Sequence, residues 1–146
     1  MCFASALRPH PFLWPLGRAC DDGETMSRSR LVLYAHGSRD PHWREPFERL
    51  LGDVASHRGG ESVRLAYMEF AEPTLMEVAG EAIRDGFGTI RILPLFLAGG
   101  AHVAKDIPEQ VAAVLGRYPR LEVLVLPPVG EDPRVQALLR TMATEA

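Results

Sequence analysis

The sequence predicts an α/β fold with a four-stranded parallel sheet flanked by helices. Three observations lead to this fold class. From Leu31 onward, short apolar runs alternate with longer segments that carry a helical apolar stripe. The short runs are apolar at successive positions, which is typical of strands buried on both faces. Alternating strands and helices form βαβ crossovers, and these place the strands parallel.

Four strands are predicted in chain order. The third is expected to end near Pro94, because proline cannot donate a ladder hydrogen bond. The four predicted strands cover Leu31–Ala35, Val63–Met68, Thr89–Leu93 and Leu121–Leu126.

Four helices are predicted between and after these strands, each with one apolar face spaced at about i, i+3, i+4 and i+7. One such face per helix indicates four helices packed on a sheet. The stripes are Phe47, Leu50, Leu51 and Val54; Leu75, Val78, Ala79, Ala82 and Ile83; Val111, Val114, Leu115 and Tyr118; and Val135, Leu138, Leu139 and Met142.

Proline and glycine mark the expected helix ends. Pro73 suits the first turn of the second helix, and Gly86 suits the position just after its end. The segment Asp106-Ile107-Pro108-Glu109 resembles a capping box that would begin the third helix. Pro46 would lie early in the first helix, which leaves the start of that helix open.

Residues 1–29 differ from the rest of the chain. They contain Pro9, Pro11 and Pro15 and show no sustained period. We interpret them as a disordered leader or as a mis-assigned start that places the true beginning at Met26. Residues 30–146 are expected to form one domain, and 146 residues suffice for a real core.

Composition excludes several classes of function. The net charge of −3 provides no basic field that would recruit nucleic acid or an anionic membrane. No apolar run approaches the length of a membrane span. Cys2 and Cys20 form neither a disulfide framework nor a CxxC metal motif, so a reducing, cytoplasmic setting is expected.

Two histidines follow predicted strands and are flanked by glycine. His36 stands in Ala35-His36-Gly37-Ser38, and His102 stands in Gly99-Gly100-Ala101-His102, before the expected cap of the third helix. Ligands of open parallel sheets bind at the carboxyl ends of the strands, so both imidazoles are expected at one crevice. Imidazole is the commonest metal ligand and accepts protons near neutral pH, which indicates metal chemistry or acid–base chemistry.

Glu69 and Glu72 follow the second strand at the same edge of the sheet. Either carboxylate is a candidate to assist metal binding or proton transfer. Three other enzyme or binding classes fit less well. A histidine phosphatase needs an arginine where Ala35 stands, an α/β-hydrolase needs a Gly-x-Ser-x-Gly elbow, and a phosphate binder needs a glycine-rich loop after the first strand.

Two motifs resemble those of a known family. Leu33-Tyr34-Ala35-His36-Gly37-Ser38-Arg39-Asp40 and the long segment from Pro94 to Pro108, PLFLAGGAHVAKDIP, resemble the small CbiX/SirB-type sirohydrochlorin chelatases, the class II chelatases. The resemblance runs from about Leu31 to Met142. It implies a flavodoxin-like half-chelatase domain that inserts Co²⁺ or Fe²⁺ into sirohydrochlorin for cobalamin or sirohaem.

The resemblance also implies roles for individual residues. It makes His36 a metal ligand and proton acceptor, and it makes His102 a metal ligand. Glu69 is a further catalytic candidate because of its position after the second strand. It implies substrate contacts at Ser38, Ala71, Leu97, Ala98, Gly99, Gly100, Ala101 and His102.

The resemblance further implies how the enzyme is assembled and supplied. The metal is a substrate and no cofactor is bound permanently. One α/β unit supplies half of the surface of a two-domain chelatase, so a homodimer is expected. The alternative function is a non-catalytic tetrapyrrole or metal carrier on the same fold.

Overall fold

A computed structural model describes residues 28–146, apart from the side chains of Ala101 and His102. The interpretation of residues 1–29 as a leader concerns mostly residues 1–27, which lie outside the described residues. Two short 3₁₀ helices cover Gly60–Ser62 and Val129–Glu131. The main elements are β1 (Ser29–Ala35), α1 (Pro41–Arg58), β2 (Val63–Tyr67), α2 (Leu75–Arg84), β3 (Thr89–Pro94), α3 (Ala101–Arg117), β4 (Glu122–Val125) and α4 (Pro133–Glu145).

The four strands form one parallel sheet in the order β2-β1-β3-β4, which confirms the predicted fold class. The last residues of the three neighbouring strands are in register, because Ala35 pairs with Tyr67 and Tyr34 pairs with Pro94. The loops that follow β2, β1 and β3 therefore leave the sheet side by side, in that order.

The core lies on both faces of the sheet. Alternate residues of each strand point to opposite faces. Val32 and Tyr34 of β1 join the larger cluster, which includes the apolar faces of α2 and α3. Leu33 and Ala35 join the smaller cluster, against which Phe47 and other residues of α1 pack. No helix in the described part of the chain has the length and apolar character needed to cross a membrane.

The start of α2 lies further along the chain than the position of Pro73 indicated, because Thr74 caps the helix. Thr74 is the N-cap residue, and its hydroxyl oxygen and the Glu77 carboxylate form a reciprocal capping box. Pro73 therefore precedes the helix, and its placement in the first turn was wrong. Gly86 follows the end of α2 with φ of 79°, as its predicted place after the helix requires.

The start of α3 corrects a second expectation. The helix begins at Ala101, so Pro108 lies inside it and Asp106 to Glu109 do not form its cap. The apolar stripe extends upstream of the proline, because Ile107 is buried and Val103 packs against the same cluster. Burial of this face outweighs the one backbone hydrogen bond that an interior proline removes. His102 consequently lies in the first turn of α3 rather than before its cap.

The apolar stripe of α4 does not pack on the sheet. None of the residues of α4 is buried, and Leu138 and Met142 are each 59% exposed. The prediction of four packed helices was therefore wrong for α4 within the described chain. Leu124 of edge strand β4 is also exposed, so apolar side chains remain uncovered on both elements. We call the residues Leu138, Leu139 and Met142 the α4 surface.

A buried arginine joins the start of β1 to the end of α2. Arg30 is fully buried, with its guanidinium 2.7 Å from Asp85 Oδ2 and 4.2 Å from the centroid of the Phe87 ring. Its Nε also donates to the Glu61 carbonyl oxygen. The hydrogen bond from Arg30 lowers the pKa of Asp85 below its ordinary value. Losing one partner of such a pair leaves a buried charge uncompensated.

Asp85→Asn is expected to lower the thermal midpoint by several degrees at neutral pH. A carboxyl group whose pKa is lower in the folded state contributes stability above its unfolded pKa of about 3.9, and loses that contribution as pH falls through the folded pKa. The difference between wild type and variant should therefore be full at about pH 7 and shrink below about pH 4. Thermal melts across this range, with Asp53→Asn on exposed α1 as the control, measure it. A difference that stayed constant down to about pH 3 would contradict the assignment.

Candidate functional site

Three loops meet at the carboxyl edge of the sheet, where ligands of open parallel sheets bind. Residues 36–40 follow β1, residues 68–74 follow β2, and residues 95–100 follow β3. The strand order places the loop after β1 between the other two. The predicted site residues of all three loops therefore lie along one edge.

Backbone hydrogen bonds join the first two loops. The Met68 amide donates to the Ala35 carbonyl oxygen at 2.9 Å, and the Glu69 amide donates to the His36 carbonyl oxygen at 3.0 Å. Gly37 makes this close approach sterically allowed. Its φ is +99°, and a Cβ atom built on it would lie 1.7 Å from the Glu69 carbonyl oxygen. The paired loops hold His36 and Glu69 against each other.

His36 and Glu69 form the central pair of the site. Their Nε2 and Oε1 atoms are 3.2 Å apart, and the side chains are 49% and 46% exposed. His36 Nδ1 lies 3.2 Å from the Gly37 carbonyl oxygen. A carbonyl oxygen only accepts hydrogen bonds, so this contact requires a proton on Nδ1. In the neutral ring the lone pair of Nε2 then faces the Glu69 carboxylate oxygen. Both atoms donate electron pairs, so a proton or a metal ion between them would stabilise the pair.

The two candidate carboxylates have separate surroundings. Glu69 contacts His36, whereas Glu72 lines a cleft of about 680 Å³ together with Glu81 and Tyr118. Among the described side chains, no group of three or more His, Cys, Asp or Glu residues is arranged to hold a metal ion. The His36–Glu69 pair thus needs further ligands from water, from His102 or from another molecule.

The loop after β3 forms the second side of the site. Leu97 is 66% exposed, and Ala98, Gly99 and Gly100 are exposed as well. Gly100 is the N-cap of α3, which places Ala101 and His102 in its first turn. The side chain of His102 lies outside the description, so its role as a ligand stays a prediction.

The other two predicted substrate contacts have structural partners. Ser38 Oγ accepts a hydrogen bond from the Asp40 amide, and Asp40 in turn caps α1. Ala71 is half-buried and packs against the smaller core cluster. Ser38 lies in the β1 loop and Ala71 lies in the β2 loop, so both belong to the edge of the site.

A contact that the sequence analysis missed supports the β3 loop. The Gly130 amide donates to the Phe96 carbonyl oxygen at 2.9 Å, and a Cβ atom built on Gly130 would lie 1.8 Å from the Leu97 carbonyl oxygen. The glycine therefore lets the segment after β4 pack directly under Leu97. Gly130 stands before a turn signal, and nothing in the local pattern indicated this long-range contact.

A partly buried hydrogen-bond network supports the β2 loop. The Tyr34 hydroxyl donates to Gln110 Oε1 at 2.6 Å, and Gln110 Nε2 donates to the Met68 carbonyl oxygen at 3.1 Å. Burial, with a smaller effect from the charge of Asp106, raises the pKa of the Tyr34 hydroxyl well above its usual value. The phenol therefore stays protonated and keeps α3 tied to the residue that precedes Glu69.

Comparison with known proteins gives a consistent set of similarities. The sequence profile of the CbiX family matches residues 30–146. The sirohydrochlorin cobaltochelatase of Methanopyrus kandleri is 29% identical over 140 residues, which cover 80% of this chain and 95% of that protein. The sirohydrochlorin ferrochelatase of Priestia megaterium is 33% identical over 109 residues, which cover 74% of this chain and 41% of that protein.

The fold is also similar to a solved structure. The crystal structure of a CbiX protein from Marinobacter aquaeolei superposes with a TM-score of 0.72 at 32% sequence identity. The similarity covers 80% of this chain and 95% of that chain. The family profile, which spans residues 30–146, includes the loops after all four strands.

Proposed function

The chain belongs to the CbiX family, and from this membership we propose that it inserts a divalent metal ion, Co²⁺ or Fe²⁺, into sirohydrochlorin. The relatives that carry the names cobaltochelatase and ferrochelatase support this reaction. The product serves cobalamin synthesis if the metal is cobalt and sirohaem synthesis if it is iron. Imidazole and carboxylate ligands accept both metals, and affinity order alone does not select between them.

The observation that carries the proposal is the His36–Glu69 pair. An imidazole Nε2 and a carboxylate Oε1 lie 3.2 Å apart at the carboxyl edge of the sheet, both about half exposed. This separation suits two neighbouring ligands of one metal ion, because each metal–ligand bond is about 2.1 Å long. A site of few nitrogen and oxygen donors holds the metal weakly enough to release it to a macrocycle.

The reaction requires a metal ion to enter and two protons to leave. A divalent ion replaces the two pyrrole N–H protons, so the charge of the macrocycle core is unchanged. We assign metal delivery to His36 and His102. The Glu69 carboxylate, 3.2 Å from His36 Nε2, would accept one pyrrole proton. The imidazole of His36 would accept the other once it has released the metal.

The open form of the site suits a wide, flat substrate. The loop from Leu97 to Gly100 is exposed and contains two adjacent glycines, which allow the backbone to approach a ligand closely. Ser38, Ala71 and the residues from Leu97 to His102 are the proposed substrate contacts. In this assignment no cofactor is bound permanently, and the metal is consumed as a substrate. The cytoplasm is the proposed compartment.

The working species is proposed to be a homodimer. This chain covers 41% of the ferrochelatase of Priestia megaterium, so a second copy would supply the part of the larger enzyme that one copy lacks. The α4 surface supports the same conclusion, since it exposes three large apolar side chains on one helix. Covering exposed apolar side chains of this kind with another protein surface lowers the free energy. A two-fold axis would bury it against its own copy.

Leu138→Glu combined with Met142→Glu is expected to produce a monomer. Each carboxylate would enter an apolar interface without a partner, which costs several kcal/mol. Light scattering at micromolar concentration measures the mass, and an insertion assay measures activity. Arg140→Glu is the matched control, because it adds a carboxylate about 200° around the helix from Leu138. A wild-type chain that is monomeric and fully active would refute the dimer.

The proposed function is tested by a spectroscopic insertion assay. Purified protein is mixed with sirohydrochlorin and either Co²⁺ or Fe²⁺ under anaerobic conditions, and the absorbance change of the macrocycle is followed against a protein-free control. Insertion faster than the control with at least one metal is expected. Binding of sirohydrochlorin without faster insertion of either metal would favour a non-catalytic carrier instead.

A further inference from the structure

Phe70 is an aromatic side chain that faces solvent beside the proposed metal pair. It directly follows Glu69 and is 54% exposed. Its φ is 61°, in the left-handed region that bulky residues rarely adopt. It is the one non-glycine residue with positive φ in the described part of the chain. Backbone outliers of this kind persist only where surrounding structure holds them, and they concentrate at ligand sites.

The surrounding structure does hold this backbone. The Met68 and Glu69 amides are bonded to the β1 loop, and the Tyr67 amide donates to the Pro73 carbonyl oxygen at 2.9 Å. The chain therefore turns back on itself within residues 67–73, and Phe70 lies at the tip of that turn. The turn directs the ring outward at the edge of the site instead of into the adjacent core.

Arg39 lies against the same ring. Its guanidinium carbon is 5.0 Å from the centroid of Phe70, within the range of a cation–π contact. Arg39 is exposed and belongs to the β1 loop, three residues after His36. Among the described side chains, no carboxylate forms an ion pair with Arg39. Its positive charge is therefore not neutralised by a carboxylate of residues 28–146.

The strand order places Phe70 and Leu97 on opposite sides of His36. Phe70 follows β2, His36 follows β1 and Leu97 follows β3, and these strands are neighbours in the order β2-β1-β3. Two strand spacings amount to about 10 Å, which is comparable to the width of a tetrapyrrole ring system. Phe70 and Leu97 are both exposed large apolar side chains, so a flat ligand centred on His36 would meet apolar surface at both sides.

We propose that Phe70 and Arg39 form a substrate platform that binds the macrocycle through its π face or edge and through one of its carboxylates. The inference rests on the proposed function. Sirohydrochlorin is a planar conjugated ring system with acetate and propionate side chains. The Phe70 ring supplies an aromatic contact to the ring system. The Arg39 guanidinium, oriented by its contact with Phe70, pairs with a peripheral carboxylate.

Binding of metal-free sirohydrochlorin, followed by quenching of protein fluorescence, tests the platform. Phe70→Gly is the informative variant, because glycine adopts positive φ without steric cost. It is expected to keep or raise the thermal midpoint while increasing Kd about tenfold. Phe70→Tyr should retain wild-type Kd, because it keeps an aromatic ring. If the ring had only a structural role, Phe70→Gly would lower the midpoint and leave Kd unchanged, which would overturn the proposal.

Arg39→Met tests the carboxylate contact. The Kd for sirohydrochlorin is expected to rise about tenfold. It should also depend less on salt than the Kd of wild type, because the variant lacks the charge pair that salt screens. Arg49→Met is the matched control, since Arg49 is also exposed and lies on α1. An unchanged Kd and an unchanged salt dependence in Arg39→Met would overturn the proposal. Phe70 variants that change the oligomeric mass of the protein but leave Kd unchanged would overturn it as well.

The same titration separates the failure of this inference from the failure of the proposed function. Wild-type protein that does not bind sirohydrochlorin would contradict both. Wild-type protein that binds sirohydrochlorin and inserts metal, together with Phe70 and Arg39 variants of unchanged Kd, would contradict the platform alone.

Discussion

His36→Ala is expected to reduce the rate of metal insertion by about 100-fold or more. The variant removes the Nε2 atom that lies 3.2 Å from Glu69 Oε1, and with it one proposed metal ligand and one proton acceptor. The side chain is about half exposed and forms no part of either core cluster, so the thermal midpoint should change little. Insertion rates and thermal melts on the same preparations measure both effects.

His102→Ala is expected to give a comparable loss, since this residue is the second proposed ligand at the start of α3. His42→Ala is the control. His42 is exposed on α1 and contacts Glu45 at 2.9 Å, away from Glu69. Should His36→Ala and His102→Ala insert metal at the wild-type rate while His42→Ala does not, the assignment of the ligands is wrong.

Gly37→Ala is expected to impair both folding and activity. The φ of +99° disfavours any side chain, and the new Cβ atom would lie 1.7 Å from the Glu69 carbonyl oxygen and 2.9 Å from its carbon. These are backbone atoms, so the two loops must separate and the bond from the Glu69 amide to the His36 carbonyl oxygen must lengthen. We expect a loss of about 3 kcal/mol in unfolding free energy and of most insertion activity.

Denaturant unfolding and the insertion assay measure these two losses. Gly52→Ala on α1 is the matched control, because nothing lies within 4 Å of a Cβ atom built there. It is expected to be neutral or to stabilise the helix by about 0.5–1 kcal/mol. Equal stability and activity for Gly37→Ala and wild type would show that the β1 and β2 loops are not held as described.

Local sequence patterns were sufficient to predict the strands and helices and to bring the candidate site residues to one edge of the sheet. Buried strands and amphipathic helices each have a spacing that depends only on which side chains face the core, so alternating segments indicated a parallel sheet. Residues that follow parallel strands share one edge, which is why His36 and Glu69 were both selected from their positions. The structure brings these two side chains into contact.

Helix ends and helix packing were less predictable from local patterns. The proline at position 108 resembled a start signal, but the buried side chain of Ile107 extends α3 upstream to Ala101. The stripe of α4 has the spacing of a packed face, yet Leu138 and Met142 stay exposed. An apolar stripe in the sequence shows that one helix face is apolar, but it does not show which surface, if any, covers that face.

The sequence by itself determined the fold class, and it predicted the carboxyl edge as the place of the candidate site together with the histidine and glutamate residues that stand there. The tertiary structure alone decided the strand order, the contact of His36 with Glu69, the packing of Gly130 under Leu97, and the pairing of Phe70 with Arg39. The physical reason is range. Periodicity and capping depend on neighbours within a few residues, whereas these contacts join loops whose proximity depends on how all the strands are arranged in the sheet.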